Sequence, residues 1–182
     1  GNRRHPGMSA FCYPEVRAEV IDRYIAHMVN RGYDGINFYT YVENTGIRYE
    51  DEFGFDQPIL DEFNTIYPGV DLREGVLTSE QREFWHRCQG KFVTIFLSEL
   101  KERLKHENMR LSVILDPNEP DYPQPLWGTS VRGTGKIQMD WRKWIDDGIV
   151  DEIWVQLADV VKQFQCHGAL TRGHCVVIIW LH

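Results

Sequence analysis

The spacing of apolar residues along the chain predicts helices and strands in alternation. From Pro14 to Arg31 apolar side chains recur every three or four residues, which gives one apolar helix face, and Gly32 is suited to end that helix. A longer helix is expected from Thr78 to about His106, because Thr78 and Gln81 have the spacing of a capping box. Long periodic segments of this kind predict helices that pack one face against a core.

Shorter apolar runs lie between and after these helices. A short helix is expected at 58–66, and a second one after Asp140, which is suited to cap it, with a stop near Gly148. A weaker helical stretch lies near 160–164. Four strands are predicted, at 35–41, 110–115, 152–157 and 175–181. In the first of them, Ile36 and Phe38 fall on one face and Asn37 and Tyr39 on the other, because strand side chains alternate.

Short apolar strands separated by helices indicate a parallel sheet covered by helices. Two α/β architectures fit this pattern, an open doubly wound sheet and part of an eight-unit barrel, which usually needs about 250 residues. No glycine-rich phosphate-binding loop follows any predicted strand, so a nucleotide-binding open sheet lacks its main signature. Polar loops after the strands are typical of barrel enzymes, and we therefore expect a single α/β domain over residues 1–182 of the TIM-barrel type.

Composition and charge limit the classes of binding partner that the chain can have. The chain is 42 % hydrophobic and 13 % aromatic, enough for a real core, and its net charge is -7 with acidic and basic residues interleaved. This pattern argues against nucleic acid and against an anionic membrane surface as partners, and no apolar run approaches the roughly 18 residues that cross a bilayer. Removal of a signal peptide before Gly1 is compatible with the sequence, and a secreted or periplasmic location is favoured; oligomeric state is not fixed.

Four blocks resemble a known family. In order along the chain they are RGYDGINFYTY, EFGFDQPILDEFNTIYPGVD, the helix ending in FLSELKERL, and DWRKWIDDGIVDEIWVQ. Together they resemble the family-ten-like glycoside hydrolases of bacteria, over roughly Tyr13 to Leu157. The resemblance implies a (β/α)8 barrel that acts on carbohydrate, of which this chain supplies about four βα units as a portion of a larger protein.

Two carboxyl groups across the scissile bond would carry glycoside hydrolysis. Asp116 ends the second predicted strand, Glu43 follows the first strand on its polar side, and Glu119 lies three residues after Asp116. We expect Asp116 and Glu43 to be the catalytic pair, with Glu119 as the alternative catalytic carboxyl group. The alternative is that Asp116 caps a turn before Pro117 and that Glu43 is simply solvated.

The chain departs from the family at one point. The wider group commonly has acidic residues where this sequence has Tyr39 and Thr40. A catalytically silent carbohydrate-binding barrel is therefore an alternative function. A metal-dependent hydrolase that uses Asp116, Glu119 and loop histidines is another.

Sugars present apolar ring faces and hydroxyl groups, so aromatic and amide side chains suit their binding. The candidates for substrate binding are Asn37, Tyr39, Tyr41, Gln156, Trp127 and Trp154. The alternative to sugar binding for Trp154 is that its large side chain fills the interior of the barrel.

No cofactor or metal is expected. The pairs Cys166-His167 and His174-Cys175 match no familiar zinc spacing, and Cys88 lies on a helical pattern where it is expected to pack in the interior.

Overall fold

A computed structural model describes residues 11–39, 54–115, 139–155 and 176–179. The described residues form helices α1 to α4 and strands β1 to β4. In chain order these are α1 (Pro14–Arg31), β1 (Gly35–Tyr39), α2 (Gln57–Asn64), α3 (Ser79–His106), β2 (Arg110–Leu115), α4 (Trp141–Asp146), β3 (Glu152–Val155) and β4 (Val176–Ile179).

The two long helices begin and end where the sequence predicts. Pro14 occupies the first turn of α1, where its missing N–H costs no hydrogen bond, and Gly32 ends the helix in the left-handed conformation at φ 66°. Thr78 and Gln81 form the expected capping box before α3. The Thr78 hydroxyl accepts from the Gln81 backbone N–H at 3.2 Å, and the Thr78 N–H donates to the Gln81 side chain at 2.9 Å.

The shorter elements are also close to their predicted positions. The helix predicted at 58–66 is α2, which ends two residues earlier, at Asn64. Asp140 caps α4 as expected, since its side chain accepts from the Lys143 backbone N–H, and Gly148 follows in the left-handed region at φ 64°. β3 is described as far as Val155, and the helix predicted near 160–164 lies outside the described residues.

All strand pairs are parallel, in the spatial order β1-β2-β3-β4. Gly35 pairs with Arg110, and a Cβ at Gly35 would lie 2.4 Å from the Arg110 carbonyl oxygen, so only glycine fits there. Across the next two pairs, Ser112 lies beside Glu152 and Ile153 beside Val177. Because strand order equals chain order, each connection in the sheet joins neighbouring strands.

The prediction of a TIM-barrel type fold is wrong. The described strands form an open sheet, in which β1 and β4 each pair with one strand, and no closed barrel is present among the described residues. The fold they show is a partial α/β fold. The prediction failed because alternating helices and strands are common to open sheets and barrels. The absence of a phosphate-binding loop argues against one ligand class and says nothing about whether a sheet closes.

One face of the sheet carries the main core. Ile36 and Phe38 of β1, Leu111 and Val113 of β2 and Ile153 of β3 point to this face, which α1, α3 and α4 cover. The helices contribute the fully buried side chains Phe96, Leu97, Leu100, Leu104 and Trp144. The Trp144 indole N–H donates to the Thr94 hydroxyl at 2.8 Å, so the one polar atom of this large side chain is satisfied inside the core.

A second cluster packs around the first half of α3. Its buried members are Cys12, Ile59, Phe63, Leu72, Trp85 and Cys88. The Trp85 indole N–H donates to the Gly54 carbonyl at 3.1 Å, which fixes the chain where it enters α2. Since α3 contributes to both clusters, it is the element that joins them.

Charged side chains also enter the interior from the helices. The Arg17 guanidinium donates to both oxygens of Glu99, at 2.8 and 3.0 Å, and to the Phe11 carbonyl at 2.8 Å. Lys101 pairs with Asp151 at the amino end of β3. Both cations are buried and both have partners, as buried charges require. Their places in the interior do not follow from the apolar spacing.

Candidate functional site

The carboxyl ends of the strands lie at one edge of the sheet. Tyr39 pairs with Ile114, and Leu115 pairs with Val155. Ligands of open parallel sheets bind outside the carboxyl ends of the strands. This carboxyl edge is therefore the first candidate site.

Most of the predicted site residues come after these strands in the sequence, in segments that the structure does not describe. Six of them lie outside the described residues, namely Glu43, Tyr41, Asp116, Glu119, Trp127 and Gln156. The pairs Cys166-His167 and His174-Cys175 also lie outside the described residues. Tyr39 is described in its backbone, as the last residue of β1. The roles predicted for these residues stay predictions.

Asn37 and Trp154 are described, and both lie on the face of the sheet opposite the main core. We call this the far face; Ile114 lies on it and is only 3 % exposed, so this part of the face is covered. Asn37 is exposed and lies beside Ser112 in the register. Trp154 is half-buried and lies beside Ile114. Its indole nitrogen is shielded from solvent and has no hydrogen-bond partner among the described residues.

A group of polar side chains next to Trp154 was not predicted from the sequence; it is formed by Glu152, Arg110 and Ser112. Glu152 lies two residues before Trp154 on the same face, and its side chain is only 17 % exposed. Its two oxygens accept from the Arg110 guanidinium at 2.9 Å and from the Ser112 hydroxyl at 3.1 Å. The strand alternation could have identified this group, since Ser112 and Glu152 occupy the positions that face away from the core.

The charges of this group balance. Arg110 neutralises Glu152 and is itself largely exposed. Two hydrogen bonds leave the carboxylate with further acceptor sites, because an ionised carboxylate has about four. The Ser112 hydroxyl donates to Glu152, so its lone pairs remain available as acceptors. The far face thus carries hydrogen-bond acceptors and no net charge beside a large indole.

Two polar side chains of α3 are unexpectedly buried near the start of α2. The His86 ring stacks on Trp85 at 5.7 Å between ring centroids, and Gln89 lies against Gly54. Gly54 has φ 88°, and a Cβ there would meet the Gln89 side-chain nitrogen at 2.1 Å. The helical spacing points Trp85 inward but does not select its polar neighbours.

The buried thiols do not suit nucleophilic chemistry. Burial, together with the smaller effect of the nearby Glu62 carboxylate, raises the pKa of Cys88 to about 11. Burial also raises the pKa of Cys12, with Asp56 adding to the effect. The thiolate is the reactive form of cysteine, so both thiols are inert near neutral pH. The prediction that Cys88 packs in the interior is confirmed.

Within the described ranges, no group of three or more histidine, cysteine or acidic side chains is placed to hold a metal ion. No helix in the same part of the chain is both long and apolar enough to cross a membrane.

Comparisons with protein-family models, with curated proteins and with solved structures found no match to this chain.

Proposed function

We propose that the chain is a glycoside hydrolase that cleaves an oligosaccharide or polysaccharide with two carboxyl groups, Asp116 and Glu43. The observation that carries the proposal is the pairing of Leu115 with Val155 beside the end of β1. The strands that precede the candidate acids and Gln156 end together, at the edge where parallel sheets bind ligands.

The strand spacing suits the chemistry. Adjacent strands lie about 4.8 Å apart. Retaining glycosidases hold their carboxyl groups about 5 to 5.5 Å apart, and inverting ones about 6.5 to 9.5 Å. In the sequence Asp116 directly follows β2 and Glu43 follows β1, which pairs with β2; the proposal requires that their carboxyl groups stand at one of these two separations.

Trp154 adds a binding element near the same edge. It is the penultimate described residue of β3 and is half-buried on the far face. An indole ring can pack against the C–H face of a sugar and bury apolar area there. This supports carbohydrate as the substrate class.

The test compares Asp116→Asn and Glu43→Gln with the wild-type protein. Release of reducing ends is measured on a panel of glucans, xylans and mannans. Each substitution is expected to lower kcat about 10²- to 10⁴-fold, the usual contribution of a positioned acid or base. Glu107→Gln, at an exposed carboxylate beyond α3, is the matched control and should leave kcat unchanged. Wild-type turnover in either site variant would remove that residue from the mechanism.

A carbohydrate-binding protein without catalysis is the second candidate. It is favoured by Tyr39 and Thr40, which stand where the resemblance leads us to expect acids. Saturable binding of a glycan by the wild-type protein, with no reducing ends released from it, would establish this function in place of hydrolysis.

A further inference from the structure

We propose that the free edge of β1 pairs with β1 of a second copy of this chain, antiparallel and centred on Asn37. This inference is independent of the proposed function. No described strand pairs with the edge of β1 that faces away from β2. Asn37 is exposed in the middle of the strand, so another chain can reach this edge. A free edge presents backbone N–H and C=O groups that can pair with an added strand.

The register identifies the backbone groups that face the free edge. The Asp34 carbonyl accepts from the Arg110 N–H at 2.9 Å, so the N–H and C=O groups of every second residue from Asp34 onwards point towards β2. The N–H and C=O groups of Gly35, Asn37 and Tyr39 therefore point the other way. Three alternate residues thus present donors and acceptors that the described sheet leaves unpaired.

These three residues are self-complementary in an antiparallel pair. When Asn37 lies opposite the partner's Asn37, Gly35 lies opposite the partner's Tyr39, and each of these pairs exchanges two hydrogen bonds. The two-fold axis makes the pairing closed, because both copies use the same edge. β1 carries no lysine or proline, and its register with β2 runs without a bulge, so it lacks these common protections of a free edge.

The hydrophobic core is incomplete at the same edge. Ile36 and Phe38 lie on the core face beside Leu111 and Val113, each of which is 0 % exposed. Ile36 and Phe38 themselves are only half-buried. Antiparallel pairing centred on Asn37 places Ile36 beside the partner's Phe38 and buries apolar area that both expose. One neighbour thus covers the backbone groups and the apolar side chains of this edge.

Helix α1 presents an aromatic side chain on the same side of the molecule. Asp22 of α1 pairs with Arg103 of α3, so this flank of α1 faces α3, which packs on β2. Tyr24 lies two residues later, about 200° around the helix, and is therefore on the flank away from α3. It is 41 % exposed. The two-fold axis keeps both copies of α1 on one face of the joined sheet, so Tyr24 points to the side where the second helix lies.

Sedimentation velocity on the full chain, over about a hundredfold range of concentration, measures the pairing. The wild type is expected to pass from monomer to dimer. Asn37→Pro removes one edge donor from each copy and no hydrogen bond to β2, and it should raise the dimer Kd about tenfold or more. Asn37→Lys places like charges opposite each other and should also raise the Kd. Asn64→Lys makes the same change at the exposed last residue of α2 and should leave it unaltered.

Disulfide trapping tests the register. The Cα atoms of a hydrogen-bonded antiparallel pair are about 5.5 Å apart, which is within disulfide range. Asn37→Cys should therefore give a covalent dimer under mild oxidation, and peptide mass spectrometry should find the bond between the two introduced thiols. Asn64→Cys is the matched control and should give none at its introduced thiol.

Circular dichroism of each variant separates pairing from folding. A dimer that the substitutions at Asn37 weaken at an unchanged spectrum, and that the introduced cysteine traps, supports the proposal. A monomer at every concentration would overturn it and leave the edge to a strand of another protein. A dimer that is insensitive to both Asn37→Pro and Asn37→Lys, or an assembly larger than a dimer, also overturns it. Glycan turnover is measured separately, and its absence leaves the pairing unaffected.

Discussion

Lys101, in the second half of α3, donates to both carboxylate oxygens of Asp151, the residue before β3. Asp151 also accepts the Leu111 backbone N–H at 2.8 Å through its side chain and donates its own N–H to the Leu111 carbonyl at 2.9 Å. One carboxylate thus connects a helix to two strands at the amino end of the sheet. The two hydrogen bonds between Asp151 and Leu111 lie where the pairing of β2 with β3 begins.

Removal of the Lys101 amine should destabilise the protein. Lys101→Met keeps the apolar stem and leaves Asp151 without its cation, and we expect the free energy of unfolding to fall by about 1 to 3 kcal/mol. This is below the 3 to 5 kcal/mol typical of a fully buried pair, because Asp151 is partly exposed. Urea denaturation measures the change. Lys105→Met, at an exposed amine paired with Glu102, should alter stability by less than about 0.5 kcal/mol.

The hydrogen bond between Trp144 and Thr94 gives a second test. Thr94→Val replaces the hydroxyl with a methyl of similar shape and leaves the indole N–H buried without an acceptor. The free energy of unfolding should fall by about 1 to 3 kcal/mol. In the Trp144→Phe background the same substitution should cost less, since no donor remains. A double-mutant cycle by urea denaturation should give a coupling energy near 1 kcal/mol, and a value near zero would contradict the bond.

The left-handed glycines should differ in their tolerance of alanine. At Gly32 nothing lies within 4 Å of an added Cβ, so Gly32→Ala should cost only the backbone strain, about 1 to 2 kcal/mol. Gly54→Ala adds a clash with the Gln89 side chain and should cost about 1 kcal/mol more. Thermal unfolding compares the two. Gln89→Ala in the Gly54→Ala background should recover part of the loss if the clash is the cause.

The buried thiol of Cys88 should make stability depend on alkaline pH. Its pKa is raised from 9.0 to about 11 on folding, so the folded state holds the proton more tightly than the unfolded state. The stabilisation is complete below about pH 9 and is lost as pH rises towards 11. The free energy of unfolding of the wild type should therefore fall across this window more steeply than that of Cys88→Ala. Equal slopes in the two proteins would show that burial does not raise this pKa.

The same thiol offers a chemical test. Iodoacetamide at pH 8 should leave Cys12 and Cys88 unmodified in the folded protein and alkylate both in urea, because alkylation needs an accessible thiolate. Peptide mass spectrometry identifies the modified residue. Rapid alkylation of Cys88 without denaturant would contradict its burial.

Local signals were sufficient for the helices and strands. Pro14, Gly32 and the pair Thr78 and Gln81 specify helix ends through backbone conformation and nearby hydrogen bonds, so the sequence contains them directly. The alternation in β1 likewise placed Ile36 towards the core and Asn37 away from it. These properties depend on residues a few positions apart.

Short sequence patterns could not predict whether the sheet closes into a barrel, or which polar side chains are buried. Whether a sheet stays open depends on which strands pair at its edges, and no short pattern in β1 or β4 encodes this. Lys101 is buried where it meets Asp151, a residue from a distant part of the chain. The alternation of β3 does place Glu152 on the face away from the core, but its partners Arg110 and Ser112 lie on the neighbouring strand, and the strand pairing that joins them is not encoded locally.

The sequential strand order also bears on the order in which the strands join the sheet during folding. β3 and β4 are joined by the shortest stretch of chain and β1 and β2 by the longest, so the entropy lost in bringing two strands together rises towards the amino-terminal side of the sheet. β1 is separated from its partner by the whole of α2 and α3. We therefore expect β1 to dock last, and pulse-labelled amide exchange should find it the last strand to gain protection.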